Sequence, residues 1–136
     1  FDLGGVLIDW NPEYVYLEVF RGDRKKMQWF FDEICTMDWN ENQDAGYSLQ
    51  KATEERVKMF PQYEEWIRMY YGRWEEMLGH AIEETVDVLD KMIANQALRV
   101  VALTNWSGGD PEEQQFLFHM KDQLFRCLLE NSFCID

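Results

Sequence analysis

Basic residues are scarce in this chain. Across 136 residues there are 13 Lys plus Arg against 26 Asp plus Glu, a formal net charge of −13 at pH 7. Such a surface repels phosphate backbones and anionic headgroups, so neither nucleic acid nor a membrane surface is an expected partner. Cysteine is scarce too. Cys35, Cys127 and Cys134 have no metal-ligand spacing and no even count for a disulfide framework, which points to buried thiols in a reducing cytosol. The two histidines, His80 and His119, form no cluster with acids or cysteines and read as surface residues. No run approaches the roughly 20 apolar residues of a membrane span. No basic stretch leads into an apolar segment and cleavage site either, so a cytoplasmic location is the expectation. There is no internal repeat and no low-complexity tract.

What the chain does have is apolar and aromatic bulk. Hydrophobic residues make up 46% and aromatics 15%, enough to exclude a disordered chain and to supply the core of one modest domain. Some of the six Trp, six Tyr and nine Phe are expected to line a joint between two parts of the molecule. The chain begins without Met, inside an apolar run, so further strand residues are expected upstream.

Local signals place the elements. Phe1-Asp2-Leu3-Gly4-Gly5 followed by Val6, Leu7 and Ile8 reads as a buried strand ending at Asp2, with a glycine turn beyond it. Asn11 can cap a helix with Pro12 at its first position. Asp23 can cap a second, in which Met27, Phe30, Phe31 and Ile34 recur at helical spacing. Residues 37–46 are polar and turn-rich and read as a loop. Ser48 starts another helix running to about Met59. Residues 62–78 read as one long amphipathic helix ended by Gly79 as a C′ glycine. Residues 83–95 form a further helix and residues 98–103 a second buried strand. Pro111 opens a polar helix to about Asp122, and residues 125–129 could form a third strand. Strands separated by helices suit a parallel sheet with crossovers. About 70 residues of helix between two strands exceed an ordinary crossover and point to an inserted helical unit.

Two stretches carry chemistry. In the first, Asp2 stands at the end of a strand, where open α/β sheets build their sites, and the adjoining glycines let the backbone approach a ligand. In the second, the apolar run ending at Leu103 delivers Thr104 and Asn105, a hydroxyl and an amide suited to holding phosphate oxygens. Together FDLGGVLIDWNP and ALTNWS resemble motifs I and II of the haloacid dehalogenase-like hydrolase superfamily, most of all its phosphatase-like branch with a helical cap between them. Trp39-Asn40, Gln43-Asp44-Ala45-Gly46 and the stretch from Tyr70 to Gly79 add to the likeness, which runs from Phe1 to about Ser107 and stops there.

The resemblance implies an α/β fold: a Rossmann-like core of parallel sheet, residues 1–11 and 80–136, with a helical cap at residues 12–79. The core is expected to be incomplete at its C-terminal end. It implies that Asp2 is the nucleophile, attacking phosphorus to form an aspartyl-phosphate. Mg²⁺ would be held by Asp2 and the Gly4 backbone carbonyl. Thr104 and Asn105 would grip the phosphoryl oxygens of a small phosphorylated substrate such as a sugar phosphate. Trp39, Asn40, Gln43, Asp44 and Arg73 of the cap are candidates for setting substrate choice. The family's usual second aspartate, two residues after the nucleophile, is Gly4 here, and no later lysine or adjacent acidic pair fits its pattern. Two other readings stay open: a haloacid dehalogenase-type hydrolase, and a catalytically incomplete module with a binding role.

Overall fold

The computed structural model describes residues 2–95 and 97–101. In order these form β1 (Ile8–Trp10), α1 (Glu13–Val19), α2 (Arg24–Glu33), α3 (Met37–Asp44) and α4 (Leu49–Met59). A 3-10 turn at Pro61–Tyr63 follows, then α5 (Glu64–Gly72), a second 3-10 turn at Trp74–Met77, β2 (Leu78–Ala81) and α6 (Glu83–Ala94).

Side-chain oxygens accept from backbone donors at several of the helix starts. Asn11 Oδ1 accepts from the Glu13 N–H at 2.9 Å, ahead of α1. Asp23 Oδ1 accepts from Lys26 N–H at 3.0 Å, and Ser48 Oγ from Lys51 N–H at 3.3 Å. Each satisfies a donor that the first helical turn leaves without a partner. Between α1 and α2 the chain reverses through Arg21 and Gly22, both at positive φ.

The helices α1 to α5 close around one aromatic core. Val15, Tyr16, Phe20, Met27, Phe30, Ile34, Cys35, Trp39, Ala52, Ile67, Tyr70 and Met77 are buried together. Tyr16 sits at its centre. Its ring is 4.8 Å from that of Phe30 and 5.9 Å from that of Phe20, and its hydroxyl donates to the Trp66 carbonyl at 2.7 Å. Cys35 is a core residue as expected, and burial pushes its thiol up to about 12, so it is protonated and inert at neutral pH. Cys127 and Cys134 lie outside the described residues.

The expected parallel, Rossmann-like α/β core is not what the described residues form. They are mostly helical, and their sheet is a two-stranded antiparallel pair, with Ile8 opposite Ala81 and Trp10 opposite Leu78 and an irregularity between. The reason is geometric. A parallel pair needs a crossover that brings the second strand back in the same direction. Here the chain leaves β1 and returns beside its own exit, where the Asn11 N–H donates to the Met77 carbonyl at 2.8 Å, so β2 runs the opposite way. A parallel bridge between Gly4 and Ile8 is internal to a turn. The expected strand from residue 98 is also absent from its described part. Residues 98–101 are irregular, with Leu98 and Val101 exposed. The expected elements beyond residue 101 lie outside the described residues.

Two local readings are also corrected. Residues 37–46 contain α3, capped by Thr36 Oγ1, which accepts from Trp39 N–H at 3.2 Å. The long helix over 62–78 is broken after Gly72, and Gly79 lies inside β2. A side chain at Gly79 would collide with the Asp9 carboxylate across the strands, so the residue serves a close approach and not a helix end.

Candidate functional site

Asp2 rides on a tight turn. The Leu3 carbonyl accepts from the N–H groups of Val6, Leu7 and Ile8, and the Gly5 N–H donates to the Ile8 carbonyl at 2.8 Å. Gly5 stands at φ +70°, open to glycine at little cost. Leu3, Leu7 and Ile8 are buried and pack against Val6, Trp74, Leu78, Val86 and Leu89, which anchors the turn on β2 and α6. Asp2 itself is exposed, and its Oδ1 accepts from the Leu3 N–H at 2.7 Å. None of the hydrogen bonds of this turn ends on the Gly4 carbonyl. Asp2 and Gly4 are thus exposed residues two positions apart on a turn that the buried leucines anchor.

The helix α3 supplies the second half. Asn40, Gln43 and Asp44 lie at i, i+3 and i+4, on one face. Asn40 and Gln43 are buried despite being polar. Tyr71 of α5 explains how they are tolerated: its hydroxyl donates to Asn40 Oδ1 at 3.0 Å and accepts from Gln43 Nε2 at 3.1 Å. Asn40 Nδ2 then donates to Asp44 Oδ2 at 3.4 Å. Burial also drives the Tyr71 hydroxyl far above the usual phenol range, so it stays a protonated donor.

Asp44 lies at the open end of this chain of bonds. Desolvation, followed by the charges of Asp2 and Glu41, raises its carboxyl above the ordinary 3.8. The consequence for stability has a definite sign. Between 3.8 and the raised value the native state holds a proton that the unfolded chain has lost. Stability therefore falls as pH rises through that window, and the penalty persists at neutral pH. Asp44→Asn removes the penalty and keeps an oxygen for Asn40. Its Tm should exceed that of the wild type at pH 7 and match it at pH 3.5, measured by thermal unfolding at both pH values.

The remaining sequence candidates have other surroundings. Arg73 donates from Nε to Glu76 at 2.7 Å and from a terminal nitrogen to Glu18 at 3.2 Å, tying the end of α5 to α1. Its hydrogen bonds hold the Glu76 carboxyl below the usual range. None of its described bonds reaches Asp2, Asn40 or Asp44. Trp39 packs edge-on against Tyr70, with ring centroids 5.3 Å apart, as a core residue. Thr104 and Asn105 lie outside the described residues. Asp9 is held by the Tyr14 hydroxyl. Tyr71 belongs to the stretch that adds to the family likeness, but the sequence assigned it no role in the site. Nothing in Trp66-Ile67-Arg68-Met69-Tyr70-Tyr71 marks the second tyrosine as the link between two buried amides.

Comparison of the chain with protein-family models, with curated proteins and with solved structures finds no match.

Magnesium can be tested against the donors present. Among the described residues no three or more His, Cys, Asp or Glu side chains gather as a metal site. Mg²⁺ retains several waters and takes one or two carboxylates plus substrate oxygens, so it needs less than that. The exposed Asp2 carboxylate and the Gly4 carbonyl are hard oxygen donors of the right kind. Among the described residues no helix is long and apolar enough to cross a membrane.

Proposed function

We propose that the chain is a cytoplasmic phosphohydrolase acting on a small phosphorylated metabolite, with chemistry of the haloacid dehalogenase-like type and Asp2 as nucleophile. The observation that carries this reading is the exposed Asp2 carboxylate on a turn anchored by the buried Leu3 and Leu7. The likeness of FDLGGVLIDWNP and ALTNWS to phosphatase motifs supports it from the sequence.

The step follows from the groups. A carboxylate oxygen of Asp2 forms a bond to phosphorus, and the phosphorus–oxygen bond to the alcohol breaks. The Leu3 N–H steadies the other carboxylate oxygen. The departing alkoxide takes a proton, and water later opens the aspartyl-phosphate to release phosphate and restore Asp2. Gly4 cannot supply that proton. Asp44, whose carboxyl desolvation and the charges of Asp2 and Glu41 raise, is assigned the general-acid role, an effect worth about 10²–10⁴ in rate. Asp2 and the Gly4 carbonyl would hold Mg²⁺, which when bound would supply neutralisation of the charge that develops in the step.

The test is hydrolysis of an aryl phosphate by the intact chain, with Mg²⁺ and with chelator. Turnover is expected with magnesium and is expected to vanish on chelation, and its pH profile should lose the limb set by the general acid in Asp44→Asn. No turnover from a folded chain in either condition would overturn the reading in favour of a binding module.

A further inference from the structure

We propose that the cleft between α3 and α4 binds a small organic carboxylate that also carries a hydroxyl or N–H donor. The cleft has a volume of about 550 Å³, within the range of ligand pockets, and Gln43, Tyr47, Arg56 and Met59 are among its lining residues. Neither Asp2 nor Asp44 lines it, so this site is separate from the one above and does not depend on the phosphatase reading.

Three observations converge on that ligand. The first is Arg56. It is half-buried, with its guanidinium 5.4 Å from the ring centre of Trp39 and 5.9 Å from that of Phe60. Arg24, Arg68 and Arg73 each pair with a glutamate, yet among the described residues no carboxylate forms an ion pair with Arg56, in a chain with 26 acids. Glu55 lines the same cleft, but its Oε1 accepts from the Tyr47 hydroxyl at 2.9 Å. A planar fork stacked on aromatic rings matches a carboxylate bidentately.

The second is Gln43. It is 2% exposed, its Nε2 is committed to Tyr71, and its Oε1 has no hydrogen-bond partner among the described residues. A buried acceptor without a donor carries a desolvation penalty that a ligand hydroxyl or N–H would relieve. The third is the rim. Tyr47 and Met59 are among the exposed large hydrophobic residues, at 41% and 65%, and they give the flat body of a ligand something apolar to cover.

The experiment titrates the intact chain with three probes: 4-hydroxybenzoate, benzoate, which lacks the donor, and 4-hydroxybenzyl alcohol, which lacks the carboxylate. Affinities come from calorimetry. Side-chain NMR signals of Arg56 Nε–H and the Gln43 amide report the place of binding. 4-Hydroxybenzoate should bind saturably, shift both signals and bind tighter than either control. Arg56→Met, which keeps the aliphatic stem, should weaken it about 10- to 100-fold. Absence of saturation, shifts confined to other residues, or unchanged affinity in Arg56→Met would each overturn the proposal. Should that variant fail to fold, the wild-type shifts and the ranking of the three probes decide.

Discussion

Asp2→Asn is expected to remove aryl phosphate hydrolysis down to background. Loss of a covalent nucleophile costs on the order of 10⁶ in kcat in a well-studied hydrolase. Asp44 lacks the position of Asp2 on the turn, and Asp9 is bonded to Tyr14. The substitution is gentle in every other respect. Asn has the same shape, its Oδ1 can still accept from the Leu3 N–H, and the residue is exposed, so Tm should move by less than about 0.5 kcal/mol would produce. The contrast between lost turnover and an unchanged melting curve is the signature to seek. Hydroxylamine trapping of an acyl phosphate in the wild type, absent in the variant, would place the phosphoryl group on the same residue. Turnover within tenfold of the wild type would remove Asp2 from the mechanism.

The largest expected effect on folding comes from Phe30→Ala. Phe30 is 0% exposed and touches Tyr16, Phe20, Phe31 and Trp66, with ring centroids 4.8, 5.6, 5.9 and 6.2 Å away. Truncating a buried Phe costs about 3–5 kcal/mol, through lost transfer energy plus the cavity left behind. Whole domains are stable by about 5–15 kcal/mol, so this one change could consume most of the margin. A fall in Tm on the order of 10–25 °C is expected in thermal unfolding. Trp29 is the control. It is the preceding residue of α2, 37% exposed, with one described ring contact, to Tyr63 at 5.3 Å. Trp29→Ala should cost about 1 kcal/mol or less. Equal losses at the two positions would mean that α2 does not bury the face assigned to it.

How much of this was legible beforehand depended on the range of the interaction involved. Asp23 was readable as a cap and Ser48 as a helix start because such signals are settled within three residues, and both side chains cap their helices, whereas Pro12, not Asn11, is the N-cap of α1. The apolar stripe of α2 was readable because its period survives in sequence. The helix α3 was not. It buries Asn40 and Gln43, so its inward face looks polar, and only Tyr71, far along the chain, makes that burial tolerable. The break after Gly72 was signalled by the glycine itself, but the apolar spacing on both sides suggested one continuous helix. The pairing of β1 with β2 was beyond reach for another reason. Both strands are short, and nothing in either records the direction of its partner. Of the candidate site, Asp2 and its glycines were visible as a motif. The influence of Asp2 on Asp44, and the absence of an ion pair at Arg56 among the described residues, emerge only in the folded chain.

The bond between the Asn11 N–H and the Met77 carbonyl, reinforced by β1 beside β2, has a consequence for how such a chain can vary. Everything from α1 to the second 3-10 turn enters and leaves through one gate. A segment with adjacent ends behaves as a portable insert: its loops can lengthen, shorten or be exchanged while the distance between its two attachment points stays constant. The turn bearing Asp2 sits just outside that gate, anchored by its own leucines, so the helical insert can diversify while the acid keeps its place.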